Sequence, residues 1–338
     1  MEEIGHQTGS LDLVHNRPLV SVIISAFNSS PFIEETLDSV RNQTWAGLEL
    51  IVSDDCSIDN TVDICRNWIR DHKSRFVRTE LITSDQNTGV AGNANRGIRA
   101  AQGEWIKFLG ADDTLKPTCI EDNMTWIESH PETGVLFSKI EVYKEIFTRD
   151  SLVSVIPGNP FSKNGIMAPG RDALSQYRML LVCDRIHFSP SVFINREILL
   201  SIGAFDEEFR TFEDYPVWLK LTKAGIRLDF MDRITVNYRM HSGAINNKGK
   251  DTLIKPNYFR SEDFRRRFTY PNLPFLVRND QRFCWVTSQV FRAEFMNRDN
   301  TINVWIKNFL TVSLNPFRWL LWIRKHLPSK SRHEEFYL

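Results

Sequence analysis

The chain has 338 residues, 42% of them hydrophobic and 12% aromatic, and carries 42 Lys+Arg against 42 Asp+Glu. That length and apolar content bury a core and exclude disorder as the main state. A net charge of zero argues against a dedicated nucleic-acid binder, which shows a basic excess. The zero conceals a split: residues 251–338 hold 15 Lys+Arg and 8 Asp+Glu, a net of +7, which leaves −7 on residues 1–250.

Residues 1–17 read as a polar leader without the apolar run of a signal peptide. Residues 19–24 (LVSVII) form a β-branched run and predict a buried strand. Ser30-Pro31 then opens a helix carrying Ile33, Leu37 and Val40 on one face. A second strand over 48–52 ends in Ser53-Asp54-Asp55, and a helix follows over 61–70. A third strand is expected at 80–83, a helix of small residues at 90–101, and a fourth strand at 105–109 running into Gly110-Ala111-Asp112-Asp113. Pro117 opens a further helix, and 135–137 is short and apolar. Residues 157–170 are rich in Gly, Pro, Asn and Ser and read as a mobile loop, either a lid or plain surface. Strand character returns at 191–194, and a helix over 215–224 stops at Gly225.

Strands alternating with helices at this spacing predict an α/β fold with a mainly parallel sheet. Ligands bind such sheets at the carboxyl ends of the strands. Three of these strands run straight into polar residues, so Asp55, Asp112 and Asp113 are expected on one rim. Taken singly, each could be a strand end or helix cap. Together they repel one another unless a cation joins them, and carboxylates without Cys or clustered His favour Mg²⁺ or Mn²⁺. No Gly-x-Gly-x-x-Gly and no Walker loop occurs, so the usual backbone phosphate cradles are missing. The five scattered cysteines contain no CxxC pair, which fits a reducing compartment. No uninterrupted apolar run of spanning length occurs, so no spanning helix is expected.

Six segments, in order, resemble family 2 glycosyltransferases. They are 20–28 read with 53–61, then Asn87-Thr88-Gly89-Val90-Ala91 with Asn95-Arg96-Gly97-Ile98, then 108–113, Gly203-Ala204-Phe205-Asp206, Glu213-Asp214 ahead of Trp218-Leu219, and 238–242. The resemblance implies a GT-A fold over 18–250, with a nucleotide-sugar-binding sheet and an acceptor-binding second half. On the donor side it implies Ser25, Phe27, Asn28, Asp55, Asn87, Asn95, Asp112 and Arg239. Of these, Asp55 would accept from a uracil N–H, Asp112 would approach the ribose, and Arg239 the diphosphate. Asp113 and His241 are the implied metal ligands. Asp214 is the implied catalytic base, with Glu213 as an orienting or acceptor-binding group. Read as residues alone, Asp214 is equally a helix cap and His241 a structural histidine. The pattern departs from the family at three places: Phe27 stands where Tyr is common, Gly110 where a further Asp is common, and Ala94 where Arg is common.

The activity implied is metal-dependent transfer of a sugar, with inversion, from a nucleotide-sugar such as a UDP-sugar to an acceptor hydroxyl. The acceptor expected is a polyprenyl-diphosphate-linked saccharide in surface polysaccharide synthesis. Two alternatives stay open at this point. A nucleotidylyltransferase would want a Gly-rich basic loop after the first strand, and a non-catalytic carbohydrate-binding module would bind donor without turnover. Beyond residue 250 the resemblance stops. Arg265-Arg266-Arg267 and the aromatic cluster from Trp305 to Ile323 read either as a helical extension packed on the body or as a contact for anionic membrane. That second reading puts the protein in the cytoplasm or on the cytoplasmic face of the inner membrane. A homodimer through the extension is a further expectation.

Overall fold

A computed structural model describes residues 17–209, 213–243, 252–255, 258–259 and 261–326. The expected leader over 1–16 and the last residues, 327–338, lie outside the described residues. The first half alternates as predicted: β1 (Val20–Ala26), α1 (Ile33–Arg41), β2 (Leu48–Asp54), α2 (Thr61–His72), β3 (Arg78–Thr83), α3 (Gly89–Ala100) and β4 (Trp105–Gly110). There follow β5 (Thr114–Leu115), α4 (Cys119–Ser129), β6 (Val135–Lys144), β7 (Leu152–Ile156), α5 (Ala173–Val182), β8 (Phe193–Asn195), α6 (Arg196–Ser201), α7 (Asp214–Lys223) and β9 (Leu228–Met240).

The nine strands form one sheet ordered β3-β2-β1-β4-β8-β6-β9-β5, with β7 pairing β6. β3, β2, β1 and β4 are parallel neighbours. β8 is antiparallel to both β4 and β6, while β6 and β9 run parallel. The parallel run β3-β2-β1-β4 is therefore one half of the sheet, and one reversed strand joins it to the other half. Strands buried on both faces need continuous apolar runs. Val20, Val22, Ile23 and Ile24 of β1 and Leu48, Leu50, Ile51 and Val52 of β2 meet that need, all fully buried.

One element is longer than the sequence predicts. The apolar triplet at 135–137 is the start of a ten-residue strand, because β9 offers it a parallel partner along its whole length. The loop over 157–170 is a run of interlocked turns, not a free segment. Arg171 donates to the carbonyls of Gly165 and Lys163 at 3.2 and 2.8 Å, Ile166, Met167 and Ala168 are buried, and Phe161 packs edge-on against Phe230 at 5.7 Å. Helix α7 stops where predicted, with Gly225 at φ +86°.

The chain divides into two compact units, one of residues up to Ala173 with Ile186–Met240, the other of Leu174–Arg185 with His241 onward. The first unit ends with β9 at Met240. The second unit also draws in a segment from the middle of the chain: the Gln281 amide donates to Val182 O at 2.6 Å. Its described helices include α8 (Phe275–Ser288), α9 (Thr301–Asn308), which runs into a π-helical turn at Phe309–Ser313, and α10 (Pro316–His326).

Candidate active site

In the first unit the chain builds β1, β2 and β3 to one side and then returns to place β4 on the other side of β1. That reversal opens a crevice at the carboxyl ends of β1 and β4. The register levels those ends: Ser25 pairs with Ser53 and with Gly110, and Ala26 with Asp54. Half-buried Ser25 offers its carbonyl to Ala111 N–H at 3.3 Å. Phe27 stands beyond the strand end, 47% exposed, with its ring free to cover a planar ligand. Asn28 takes φ +49°; its N–H donates to Ser57 Oγ at 2.8 Å and its Oδ1 accepts from Ile58 N–H at 2.9 Å, which ties the first rim loop to the second.

Asp55 is 2% exposed. Its carboxylate accepts from Thr88 N–H (3.0 Å to each oxygen), Thr88 Oγ1 (2.7 Å), Gly89 N–H (2.8 Å) and Arg96 Nη2 (2.6 Å). Burial pushes this carboxyl up, but the Arg96 hydrogen bond and those of Thr88 and Gly89 outweigh it and hold Asp55 below the usual range. Contact with a base N–H requires one of these donors to yield. Asn87 accepts from Gly89 N–H at 3.1 Å in the same loop.

The Asp112-Asp113 turn is gripped from two sides. Thr36 on α1 donates to Ala111 O and Asp113 O at 3.0 and 2.8 Å. Arg239 on β9 donates its backbone N–H to Asp113 Oδ1 at 2.8 Å and its Nε to Asp112 O at 2.7 Å. A Cβ on Gly110 would stand 2.8 Å from Asp112 Oδ1 and 3.3 Å from Asp113 Oδ2, so both carboxylates crowd the space that glycine leaves open. Burial, then the neighbouring Asp112 charge, push the Asp113 carboxyl well up. Two carboxylates converging on one such space fit a hard divalent ion that takes further oxygens from a ligand. Among the described residues no group of three or more His, Cys, Asp or Glu is placed to hold a metal. His241, the other implied ligand, follows β9 as the first residue of the second unit.

Two of the implied donor residues make their contacts within the protein. Arg239 is buried, with its guanidinium packed over Phe32 and Phe147 (4.8 and 4.0 Å to the ring centroids) and bonded to Glu35 Oε2 (2.5 Å) and to the Glu145 carbonyl. It clamps the Asp112-Asp113 turn, with Nε, Nη1 and Nη2 each donating inside the protein. Asn95 is likewise buried. Its Nδ2 donates to Phe205 O and Glu207 Oε1, both at 2.9 Å, and its Oδ1 accepts from Phe205 N–H at 3.1 Å. The amide pins α3 to the Gly203-Ala204 turn, whose residues both take positive φ.

Glu213 and Asp214 open α7. Asp214 Oδ1 accepts from Tyr215 N–H at 2.8 Å, the contact of a carboxylate at a helix N-terminus. Burial pushes Asp214 up, while the Ser189 hydroxyl, its own helix N–H groups and the His187 charge pull against it. Burial and the adjacent Asp214 charge push Glu213 up to about 7. Burial thus holds both vicinal carboxyl groups above the usual carboxylate range.

The family 2 glycosyl transferase profile matches residues 21–173. The glycosyltransferase TuaG of Bacillus subtilis, named for teichuronic acid biosynthesis, is 31% identical over 255 residues, 74% of this chain and 90% of its own length. The chain belongs to glycosyl transferase family 2. WfaP of Escherichia coli, a UDP-Glc:α-D-GlcNAc-diphosphoundecaprenol β-1,3-glucosyltransferase, is 29% identical over 244 residues, 72% of this chain and 86% of its own. Among solved structures, residues 1–349 of Staphylococcus aureus TarS with UDP-GlcNAc superpose at a TM-score of 0.59 and 19% identity, covering 86% of this chain and 78% of that one. The mannosyltransferase PcManGT of Pyrobaculum calidifontis, with GDP-Man and Mn²⁺, gives 0.50 and 18%, covering 94% and 78%. The fold is thus the GT-A fold, and the protein moves a sugar from a nucleotide-sugar to an acceptor.

In this glycosyltransferase several organising residues escaped the sequence reading. Lys107 had a visible signal, a cation inside the apolar run of β4. It is fully buried, and its Nζ donates to Pro190 O at 2.7 Å and Val192 O at 3.3 Å. Burial pushes its pKa down to about 8. Lys107 thereby fixes the segment that carries Ser189 to the strand that ends at Asp112-Asp113. Thr36, Glu35, His187 and Ser189 had no such signal, because their partners lie far away in sequence.

Proposed function

We propose that this glycosyltransferase inverts the anomeric carbon of a UDP-sugar and delivers the sugar to a hydroxyl of a polyprenyl-diphosphate-linked saccharide. The product is part of a surface polysaccharide such as O-antigen or capsule. The observation that carries this reading is the convergence of Asp112 and Asp113 over the side-chain-free Gly110, on the same rim as exposed Phe27. WfaP, with its UDP-Glc donor and diphosphoundecaprenol-linked acceptor, supports the choice of substrates.

Phe27 stacks on the base, Asn28 and Ser25 line the rim beside it, and Asp55 with Asn87 shapes the loop that closes over it. Asp112 and Asp113 hold a divalent ion, Mn²⁺ or Mg²⁺, which when bound neutralises the charge that develops on the leaving diphosphate. Asp214 takes the acceptor proton as the hydroxyl attacks, and Glu213 beside it orients the acceptor and shares the proton load. The diphosphate leaves without protonation, so one base suffices and the single displacement inverts the carbon. The basic second unit contacts anionic lipid, which makes the enzyme peripheral on the cytoplasmic face of the membrane that carries the acceptor.

Calorimetry with UDP tests the donor and ion assignment. Mn²⁺ is expected to tighten UDP binding by the wild type, and Asp113→Ala to abolish that gain. Equal wild-type affinity with and without Mn²⁺ would overturn the role given to Asp112 and Asp113. A screen of UDP-sugars against a lipid-linked acceptor, with the linkage read by NMR, tests the substrates and the inversion.

A further inference from the structure

The second unit buries Phe264, Leu273, Val277 and Phe291, but two of its helices, α9 and α10, turn large apolar residues outward. On α9 the buried residue is polar: Asn303 donates its amide to Phe295 O at 2.8 Å and to Arg298 O at 3.1 Å. The residues turned to solvent are Ile302 (71% exposed) and Trp305 (64%), and the row continues through Phe309 and Val312. From Ile302 these stand at i, i+3, i+7 and i+10, one face of a helix. Just before α10, Asn315 is fully buried and donates to Asp280 Oδ1 at 2.8 Å. Arg318 grips the same carboxylate with two bonds of 2.9 and 2.8 Å. Outward from α10 stand Trp319 (56%), Trp322 (59%), Leu320 and Ile323.

A helix of a water-soluble surface hides its large apolar residues and shows its polar ones. Here Asn303 and Asn315 are buried and hydrogen-bonded, while Ile302, Trp305, Trp319 and Trp322 face out. The outer face is also held in shape. Trp305 stacks on Phe309 at 5.3 Å, and the Trp319 indole N–H donates to Ser313 O at 3.0 Å. Exposed apolar area on this scale marks a contact surface.

Charge selects the occupant. Arg324, Lys325 and His326 form the last turn of α10, and residues 251–338 are net positive, 15 basic against 8 acidic. A second copy would bring like charge to like, whereas an anionic bilayer complements it. Tryptophan, apolar in the ring and polar at N–H, partitions to the headgroup boundary. α10 has 11 residues, and no helix among the described residues is long and apolar enough to cross a membrane, so the contact lies in the plane of the interface.

We propose that the outward face running from Ile302 to Ile323 is a preformed in-plane docking surface for an anionic lipid bilayer. It deepens the membrane contact proposed above by naming the face and its mode of insertion.

The test is co-sedimentation of the full chain with vesicles of phosphatidylcholine alone and of phosphatidylcholine with phosphatidylglycerol. The wild type is expected to bind the anionic vesicles more tightly. Trp305→Ser with Trp322→Ser is expected to lower that partition by about tenfold or more, since each exposed ring carries a large apolar area. Both positions are exposed, so the melting temperature and UDP affinity should hold. A second measurement needs no variant: tryptophan emission should shift to the blue on anionic vesicles and be quenched by brominated lipid. No binding to anionic vesicles, or equal partition of wild type and double variant, would overturn the inference. So would a wild-type dimer in gel filtration that the double substitution dissolves, since the face would then join two copies. Sugar transfer to a water-soluble acceptor is measured alongside. Transfer without vesicle binding sinks the docking surface alone, and vesicle binding without transfer sinks the transfer chemistry alone.

Discussion

Glu213 and Asp214 show how two acidic side chains acquire different work from their surroundings. Replacing Asp214 by Asn keeps the shape of the α7 N-terminus but removes the proposed proton acceptor. Turnover is expected to fall about 10²–10⁴-fold, the usual span for a general base, with UDP affinity unchanged. Steady-state kinetics and calorimetry check the two halves of that statement. The raised pKa of Glu213 makes a second prediction. The folded protein binds this proton more tightly than the unfolded chain, whose Glu titrates near 4.5. Stability therefore falls as pH rises from about 4.5 to about 7, and the loss is complete above that. Glu213→Gln removes the loss and should raise stability at pH 8 by about 1–3 kcal/mol, with little change at pH 4. Denaturant titrations at the two pH values measure it.

Strands and helices decide which of these residues meet. β4 carries both the buried Lys107 and, at its end, Asp112-Asp113. Lys107→Met keeps the volume but strips Pro190 O and Val192 O of their donor. It should cost about 1–3 kcal/mol, the range for an unsatisfied buried acceptor. Because the freed segment bears Ser189, which bonds Asp214, kcat should fall more than KM rises; equal loss in both would reduce Lys107 to a packing residue. In the second unit, Asp280→Asn leaves Arg318 half-buried without its counter-charge. A loss of about 1–3 kcal/mol is expected, discounted for the exposed part of the guanidinium, and hydrogen exchange in α8 and α10 would locate it. The elements themselves were largely readable. β1 to β4 and the helices between them lie within one or two residues of the periodicity reading, because continuous apolar runs and capped amphipathic stretches are local signals. β6 was underread because its length depends on β9, some ninety residues further on. For the loop over 157–170, glycine and proline mark turns without saying whether those turns pack.

Across the whole molecule, zero net charge averages an acidic body and a basic extension. Raising ionic strength should weaken binding to anionic vesicles and leave transfer to a soluble acceptor nearly unchanged, since salt screens exposed charge more than buried pairs. Vesicle partition and turnover across a salt series would test this. Residue types and their order were enough to establish the alternating α/β fold, the rim of carboxylates and the family, since these rest on local runs and on motifs that keep their spacing. Tertiary structure alone settled what individual side chains are occupied with. Arg239 and Asn95 have the chemistry of ligand-binding groups, but buried polar groups must be satisfied, and their partners come from distant strands and turns. The outward face of α9 and α10 was equally hidden. A helix is amphipathic in sequence whichever way it faces, and only packing against Asp280 and its neighbours shows that the apolar side was left to the outside.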